Sequence, residues 1–199
     1  MVKKMIINEK LPKDQKIISM KELRNIGYSQ YMVSKLVDRG KLIKLNKSYY
    51  ENADYQGEES DFYYVEAYAQ SGVICLMSAA VYYNLTTYIP DSVEIAIPRK
   101  AKVSTIPEWP PMKIHYYTDE RYTLGMVTVQ EGKNQFRIYD IEKTVVDIVF
   151  YRERVGIEET KEILHNYLRR QDRQLDRLYA YAKKLRCEKI IRTYLEVLI

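Results

Sequence analysis

A chain of 199 residues, 46% of them apolar, suffices for one large domain or two small ones and is too apolar to remain disordered. No apolar run approaches the roughly 18 residues of a membrane span, and the opening Met1-Val-Lys-Lys-Met-Ile-Ile-Asn-Glu9 meets a charge too early for a signal peptide. Cys75 and Cys187, far apart, read as reduced thiols of a cytoplasmic protein rather than a disulfide framework, and with His115 and His165 they are too scattered for a Cys/His zinc site.

The net charge of +5 is unevenly spread. Residues 1–51 hold 12 Lys and Arg against 5 Asp and Glu, a net of +7. Residues 52–166 hold 11 against 18, a net of −7, and residues 167–199 hold 9 against 4, a net of +5. A small basic N-terminal unit is the usual electrostatic footprint of nucleic-acid binding, although a solvated surface gives the same count.

The elements of that unit favour DNA. Ser19-Met-Lys-Glu22 is a capping box that starts a short helix over 20–25. Gly27 supplies a permissive turn residue, Ser29 caps a second helix to about Arg39, and Gly40 ends it. Two short helices across such a turn predict a helix-turn-helix. At helical spacing Met32, Val33, Leu36 and Val37 fall on one arc of the second helix, and Gln30, Tyr31, Ser34, Lys35 and Asp38 on the other. The polar arc suits base edges and phosphates. The stretch Lys41 to Tyr50 alternates around a turn at Asn46-Lys47, which predicts a hairpin wing with Lys41, Lys44 and Lys47 along phosphates. The DNA-binding set is therefore Ser29, Gln30, Tyr31, Ser34, Lys35, Lys41, Lys44 and Lys47. The same elements could serve protein contacts alone.

Residues 52–61 read as a polar, acidic linker, with Ser60 or Asp61 capping a helix over 62–70. Val73 to Leu76 reads as a short buried strand, and Ser78 as the cap of a helix over 79–84. Strands follow at 92–97 and 112–117, separated by a loop containing Pro107, Pro110 and Pro111. Two more, at 126–130 and 136–139, flank the turn signal Glu131-Gly-Lys-Asn134. Asp140 caps a helix whose Ile141, Val145, Ile148 and Val149 recur at helical spacing, and about three helices follow, near 158–170, 175–186 and 188–197. The expected architecture is α+β: a winged helix-turn-helix over 1–51, a linker over 52–61, and an α+β domain over 62–199 with a helical C-terminal tail. The tail carries Lys183, Lys184, Arg186, Lys189 and Arg192, which read as a second DNA surface or an ordinary solvated face.

Catalysis finds little support. Glu131-Gly-Lys133 with Asp119 upstream has the residue types of a metal-dependent nuclease, which needs carboxylates for Mg²⁺ and a Lys near the phosphate. The spacing is weak and Glu131 to Asn134 reads as a turn. There is no Gly-rich phosphate loop and no Gly-x-Ser-x-Gly elbow. His115 and His165 read as surface or packing histidines. No catalytic residue, metal site or cofactor is assigned.

Several segments carry a resemblance. They are Ile17-Ile-Ser-Met-Lys-Glu-Leu23, Tyr31-Met-Val-Ser-Lys-Leu-Val-Asp-Arg-Gly-Lys-Leu42, the wing ending in Tyr49-Tyr50, Ser78-Ala-Ala-Val-Tyr-Tyr-Asn-Leu85, Val93-Glu-Ile-Ala-Ile-Pro-Arg99, Ile138-Tyr-Asp-Ile-Glu-Lys-Thr144 with Asp147, and Glu188-Lys-Ile-Ile-Arg-Thr-Tyr-Leu-Glu-Val-Leu198. In this order they resemble the AbiEi-type antitoxins of bacterial abortive-infection (type IV) toxin–antitoxin systems. The chain departs from that pattern at Asn46-Lys-Ser48, where the family's wing often has an Arg-Gly turn, and at Glu142-Lys143-Thr144, where the family has Glu-Arg-Thr. The resemblance implies two activities. One is repression of the protein's own operon by winged-helix binding to inverted repeats in double-stranded promoter DNA. The other is opposition to a nucleotidyltransferase toxin, without requiring a stable complex, and it makes the tail cations Lys183, Lys184, Arg186, Lys189 and Arg192 a candidate antitoxic surface. The competing expectations are a DNA-binding nuclease and a transcriptional regulator without antitoxin activity. No membrane partner is expected.

Overall fold

The computed structural model describes residues 11–103 and 105–198. The opening segment read above for a signal peptide lies outside them. The chain is a mixed α+β protein that divides into two compact units. The first runs to Ala67 and includes Gln130–Gln135, and the second comprises Tyr68–Val129 and Phe136–Ile199.

In the first unit, β1 (Ile17–Ser19) leads into α1 (Met20–Asn25), followed by α2 (Gln30–Asp38), β2 (Leu42–Lys44) and β3 (Tyr49–Asn52). β3 lies between β1 and β2 and is antiparallel to both, with Ile18 opposite Tyr50 and Ile43 opposite Glu51. Ser19 starts α1 through a complete capping box: the Glu22 amide donates to the serine Oγ at 3.2 Å, and the serine amide donates to the Glu22 carboxylate at 2.7 Å. Ser19→Ala leaves a helix-start donor unpaired and is expected to lower the unfolding free energy by about 1 kcal/mol, read as a reduced urea midpoint at unchanged slope.

Ser29 caps α2 by accepting from the Met32 amide, and Gly40 takes the left-handed conformation after its end (φ +70°). Val33 and Leu36 pack with Leu23, Tyr28, Leu42 and Tyr50 in the core of this unit. The turn between β2 and β3 is held by Asn46, whose side-chain oxygen accepts from the Ser48 and Tyr49 amides. Within 52–61, the stretch read as a linker, Asn52 is fully buried and donates to the Pro12 and Gln15 carbonyls. Lys16, also buried, pairs with Glu51 at 3.1 Å and Glu59 at 2.8 Å.

A single 3-10 turn (Asp61–Tyr63), capped by Ser60, leads into α3 (Tyr64–Tyr68). After α3 come β4 (Val73–Ile74), α4 (Leu76–Tyr82), β5 (Val93–Pro98), β6 (Met112–Tyr117), α5 (Asp119–Thr123), β7 (Met126–Glu131) and β8 (Asn134–Tyr139). The last residues of β7 and the first of β8 belong to the first unit. The sheet order is β6-β5-β4-β8-β7, with β5 and β6 parallel, β4 antiparallel to β5 and parallel to β8. The described residues end in α6 (Ile141–Phe150), α7 (Arg152–Val155), α8 (Ile157–Arg169), α9 (Leu175–Lys184) and α10 (Glu188–Leu198).

One expectation is corrected here. Ser78 does not cap a helix over 79–84: α4 begins two residues before it, and the Ser78 hydroxyl accepts instead from the Glu94 amide at 2.9 Å. Of the two histidines read as surface or packing residues, His115 lies buried in β6 with a carboxylate partner and His165 is exposed.

Charged groups also enter the core of the second unit. Helix α6 is buried from Glu142 to Val149, polar residues included. Val145, Val146, Ile148 and Val149 pack with Ile163, Leu164, Tyr167, Leu178, Ala182, Ile191 and Leu195 of the following helices, each apolar side chain contributing about 1.5–3 kcal/mol by leaving water. Among the described residues, no helix is long and apolar enough to cross a membrane.

Candidate nucleic-acid interface

The first unit exposes what the apolar arc of α2 leaves behind. With Val33 and Leu36 committed to the core, Ser29, Gln30, Tyr31 and Ser34 are exposed, Tyr31 to 69%. Lys35 is half-buried; its ammonium lies 5.7 Å from the Tyr31 ring centre and 3.7 Å from Asp38, a weak exposed pair. Helix α2 thus presents amide, phenol, hydroxyl and ammonium groups on one side.

The hairpin after α2 adds two uncommitted cations. Lys44 at the end of β2 and Lys47 in the turn are exposed, with no acidic partner among the described residues. Lys41 differs, because its ammonium is held by both oxygens of Asp54 at 2.9 and 3.0 Å. A phosphate would have to compete with that carboxylate, which leaves Lys44 and Lys47 as the less committed cations of the hairpin. Lys21 and Arg24, on the short helix α1, are further exposed cations that the helical-arc reading did not single out.

The tail cations surround the junction of α9 and α10. Lys183, Lys184 and Arg186 close α9, with Arg186 itself in the left-handed region (φ +57°), and Lys189 and Arg192 follow in the first turns of α10. All five are exposed, and only Arg192 pairs with an acid among the described residues, Glu188 at 3.1 Å. Ala182, Ile191 and Leu195 from the same two helices are buried. The charge therefore sits on the outer faces of helices whose inner faces are core.

The carboxylate and lysine read for a nuclease have other partners. Glu131 accepts from the Tyr63 hydroxyl at 2.5 Å, Lys133 pairs with Asp14 at 3.1 Å, and Gly132 between them takes φ +60° in the turn. No group of three or more His, Cys, Asp or Glu side chains among the described residues is placed to hold a metal ion.

The segment Tyr139 to Thr144, with Asp147, is a structural junction. Asp140 caps α6 through the Lys143 amide and accepts from the Tyr181 hydroxyl of α9. Glu142 accepts from the Gln174 amide at 3.0 Å and the Tyr167 hydroxyl at 3.3 Å, which ties α6 to α8 and to the start of α9. Asp147 is fully buried between Lys143, also fully buried, and Arg121, which reaches it at 2.5 Å. The Lys143 ammonium lies 4.0 Å from the Tyr139 ring centre and 5.1 Å from that of Tyr117, and the Arg121 guanidinium lies 3.9 Å from that of Phe150. Burial pushes the Lys143 ammonium below its ordinary value, with Arg121 adding to the shift and Asp147 opposing it.

A third ionic cluster lies on β5 and β6. Parallel pairing sets Glu94 beside Lys113, and His115 follows two residues along the same face of β6. The Glu94 carboxylate accepts from the Met77 amide at 2.9 Å, and approaches His115 Nε2 at 3.2 Å and Lys113 Nζ at 3.0 Å. Burial alone would raise its pKa, but these three partners outweigh burial and hold it at about 2. A cavity of about 140 Å³ adjoins the cluster.

Comparison with protein-family models finds no match, and neither does comparison with curated proteins.

Proposed function

We propose that this protein is a DNA-binding autorepressor whose N-terminal unit is a winged helix-turn-helix, and that its remaining domain opposes a nucleotidyltransferase toxin, as in the AbiEi-type antitoxins it resembles. One observation carries the DNA-binding half: a capped helix, α2, exposes Gln30, Tyr31 and Ser34 immediately before a hairpin whose Lys44 and Lys47 have no acidic partner among the described residues. Such a helix reads base edges in the major groove while hairpin lysines neutralise phosphates. The antitoxin half rests on the order of the family-like segments along the chain. Inverted repeats in the promoter fit two copies of such a unit related by two-fold symmetry.

The test is a titration of promoter DNA from the protein's own operon over a range of salt concentrations. Converting Lys35, Lys44 and Lys47 to glutamate should lower the magnitude of the log K against log salt slope by about 3 and weaken binding well beyond tenfold. Unchanged affinity and slope would overturn the interface. In cells that also express the adjoining toxin, the native protein should restore growth and the triple variant should do the same while releasing the promoter. A native protein that fails to restore growth overturns the antitoxin half and leaves the DNA-binding half standing.

A further inference from the structure

We propose that the cavity beside Glu94 binds a small aliphatic α-amino acid, its carboxylate taken by Arg154 and Lys113 and its ammonium by Asp91 and Glu159. The volume, about 140 Å³, is below the roughly 300 Å³ where drug-sized sites begin, so the occupant is a small metabolite. Leu76, Met77 and Val155 give the cavity an apolar wall suited to a short aliphatic side chain.

The charges on the remaining wall define the ligand's ends. Glu94 is saturated by its three partners and forms a fixed surface rather than a ligand group. Asp91 and Glu159 have no cationic partner among the described residues, and Arg154 has no acidic one, its guanidinium resting 5.6 Å from the Tyr151 ring centre. Lys113 spends one donor on Glu94, and its side chain remains 56% exposed. Unpaired charges of both signs around one small cavity call for a zwitterion, since a purely anionic or purely cationic ligand would leave one set facing a like charge.

His115 forms part of the same wall. It lines the cavity and is 5% exposed, and its Nδ1 is buried with no hydrogen-bond partner among the described residues. Leu76, on the same wall, is held in the left-handed region (φ +46°), a costly conformation for a branched side chain that persists only where the surrounding structure enforces it.

The experiment titrates the full chain with L-valine and L-leucine, and separately with isovalerate and isoamylamine, which each keep one charged end. Melting temperature and amide chemical shifts are followed. An aliphatic amino acid should raise the melting temperature saturably and shift the amides of Leu76, Met77, Asp91 and Val155, with each half-ligand at least about tenfold weaker. Arg154→Gln and Asp91→Asn, both at exposed side chains, should each weaken binding by about tenfold or more without lowering the melting temperature of the free protein. No saturation with either amino acid, equal binding of a half-ligand, or unchanged affinity in both variants would overturn the proposal.

Discussion

Replacing Asp147 by alanine is expected to destabilise the second unit by about 3–5 kcal/mol, the range for deleting one partner of a buried ion pair. Asp147 is the only acid bonded to both Lys143 and Arg121 among the described residues, and the three side chains are nearly or fully withdrawn from water. Without the carboxylate, two cations stay in a site nearly closed to water, faced by the rings of Tyr117, Tyr139, Tyr151 and Phe150. Ring faces return about 2 kcal/mol per buried cation, which is not enough to replace the lost carboxylate. Lys143→Met is the informative companion: it removes one cation, leaves Asp147 paired with Arg121, and keeps an unbranched side chain against the tyrosine rings. It should cost clearly less. Urea unfolding gives both values, and amide exchange of α6 should report the same order. Equal losses from the two substitutions would show that the site is governed by packing rather than by charge.

This network also accounts for part of the tyrosine content, 20 residues against 3 Phe. Tyr117 and Tyr139 stack with their centres 5.9 Å apart beside Lys143, and Tyr117 stacks at the same distance on Tyr151. Elsewhere the hydroxyl closes a contact at the margin of the core: Tyr139 donates to the Tyr122 carbonyl at 2.8 Å, Tyr122 to the Ser71 carbonyl at 2.7 Å, and Tyr181 to Asp140 at 2.9 Å. Phenylalanine would supply the rings but none of these bonds.

Local features were readable from residue order because their causes are local. Ser19 and Glu22, Ser29, Asn46 and Asp140 each bond to a backbone group within three residues, so a short window contains the whole interaction. β1 was not foreseen because a three-residue strand exists only through its pairing with β3, some thirty positions away. The start of α4 was misplaced for a related reason: Ser78 has the chemistry of a helix cap, but a strand sixteen residues later claims its hydroxyl. The ionic clusters follow the same rule. Lys143 and Asp147 stand four apart on a helix, a spacing that usually marks a solvated pair, and only the burial of α6 and the approach of Arg121 turn them into core. Glu94 in the otherwise apolar Val93-Glu-Ile-Ala-Ile97 was the one visible sign of its cluster, since a charge inside a buried strand needs partners. The α2 face and the hairpin lysines were legible because helical periodicity and turn chemistry dictate them; the capture of Lys41 by Asp54 was not.

Acid should act on the second unit through Glu94. Its carboxyl titrates at about 2 in the folded protein and at 4.5 ordinarily, so the folded state binds fewer protons across that interval. A group lowered in this way stabilises the fold fully above 4.5 and loses that contribution as the pH falls toward 2. The gap corresponds to about 3 kcal/mol. Desolvation is already included, because burial opposes the shift and the bonds from His115, Lys113 and Met77 overcome it. Glu94→Gln keeps the shape but not the charge, and turns an amide N–H₂ toward groups that are themselves donors. It should therefore lose most of this stabilisation near neutral pH and show a flatter fall in unfolding free energy between pH 4.5 and 2 than the native protein. Lys113→Met tests the division among the three donors. Its ammonium is half in water and screened, so its removal should reduce the acid-dependent term less than His115→Phe does, since His115 meets Glu94 away from solvent. An unfolding curve as steep in acid for Glu94→Gln as for the native protein would move the acid-sensitive term to other carboxylates.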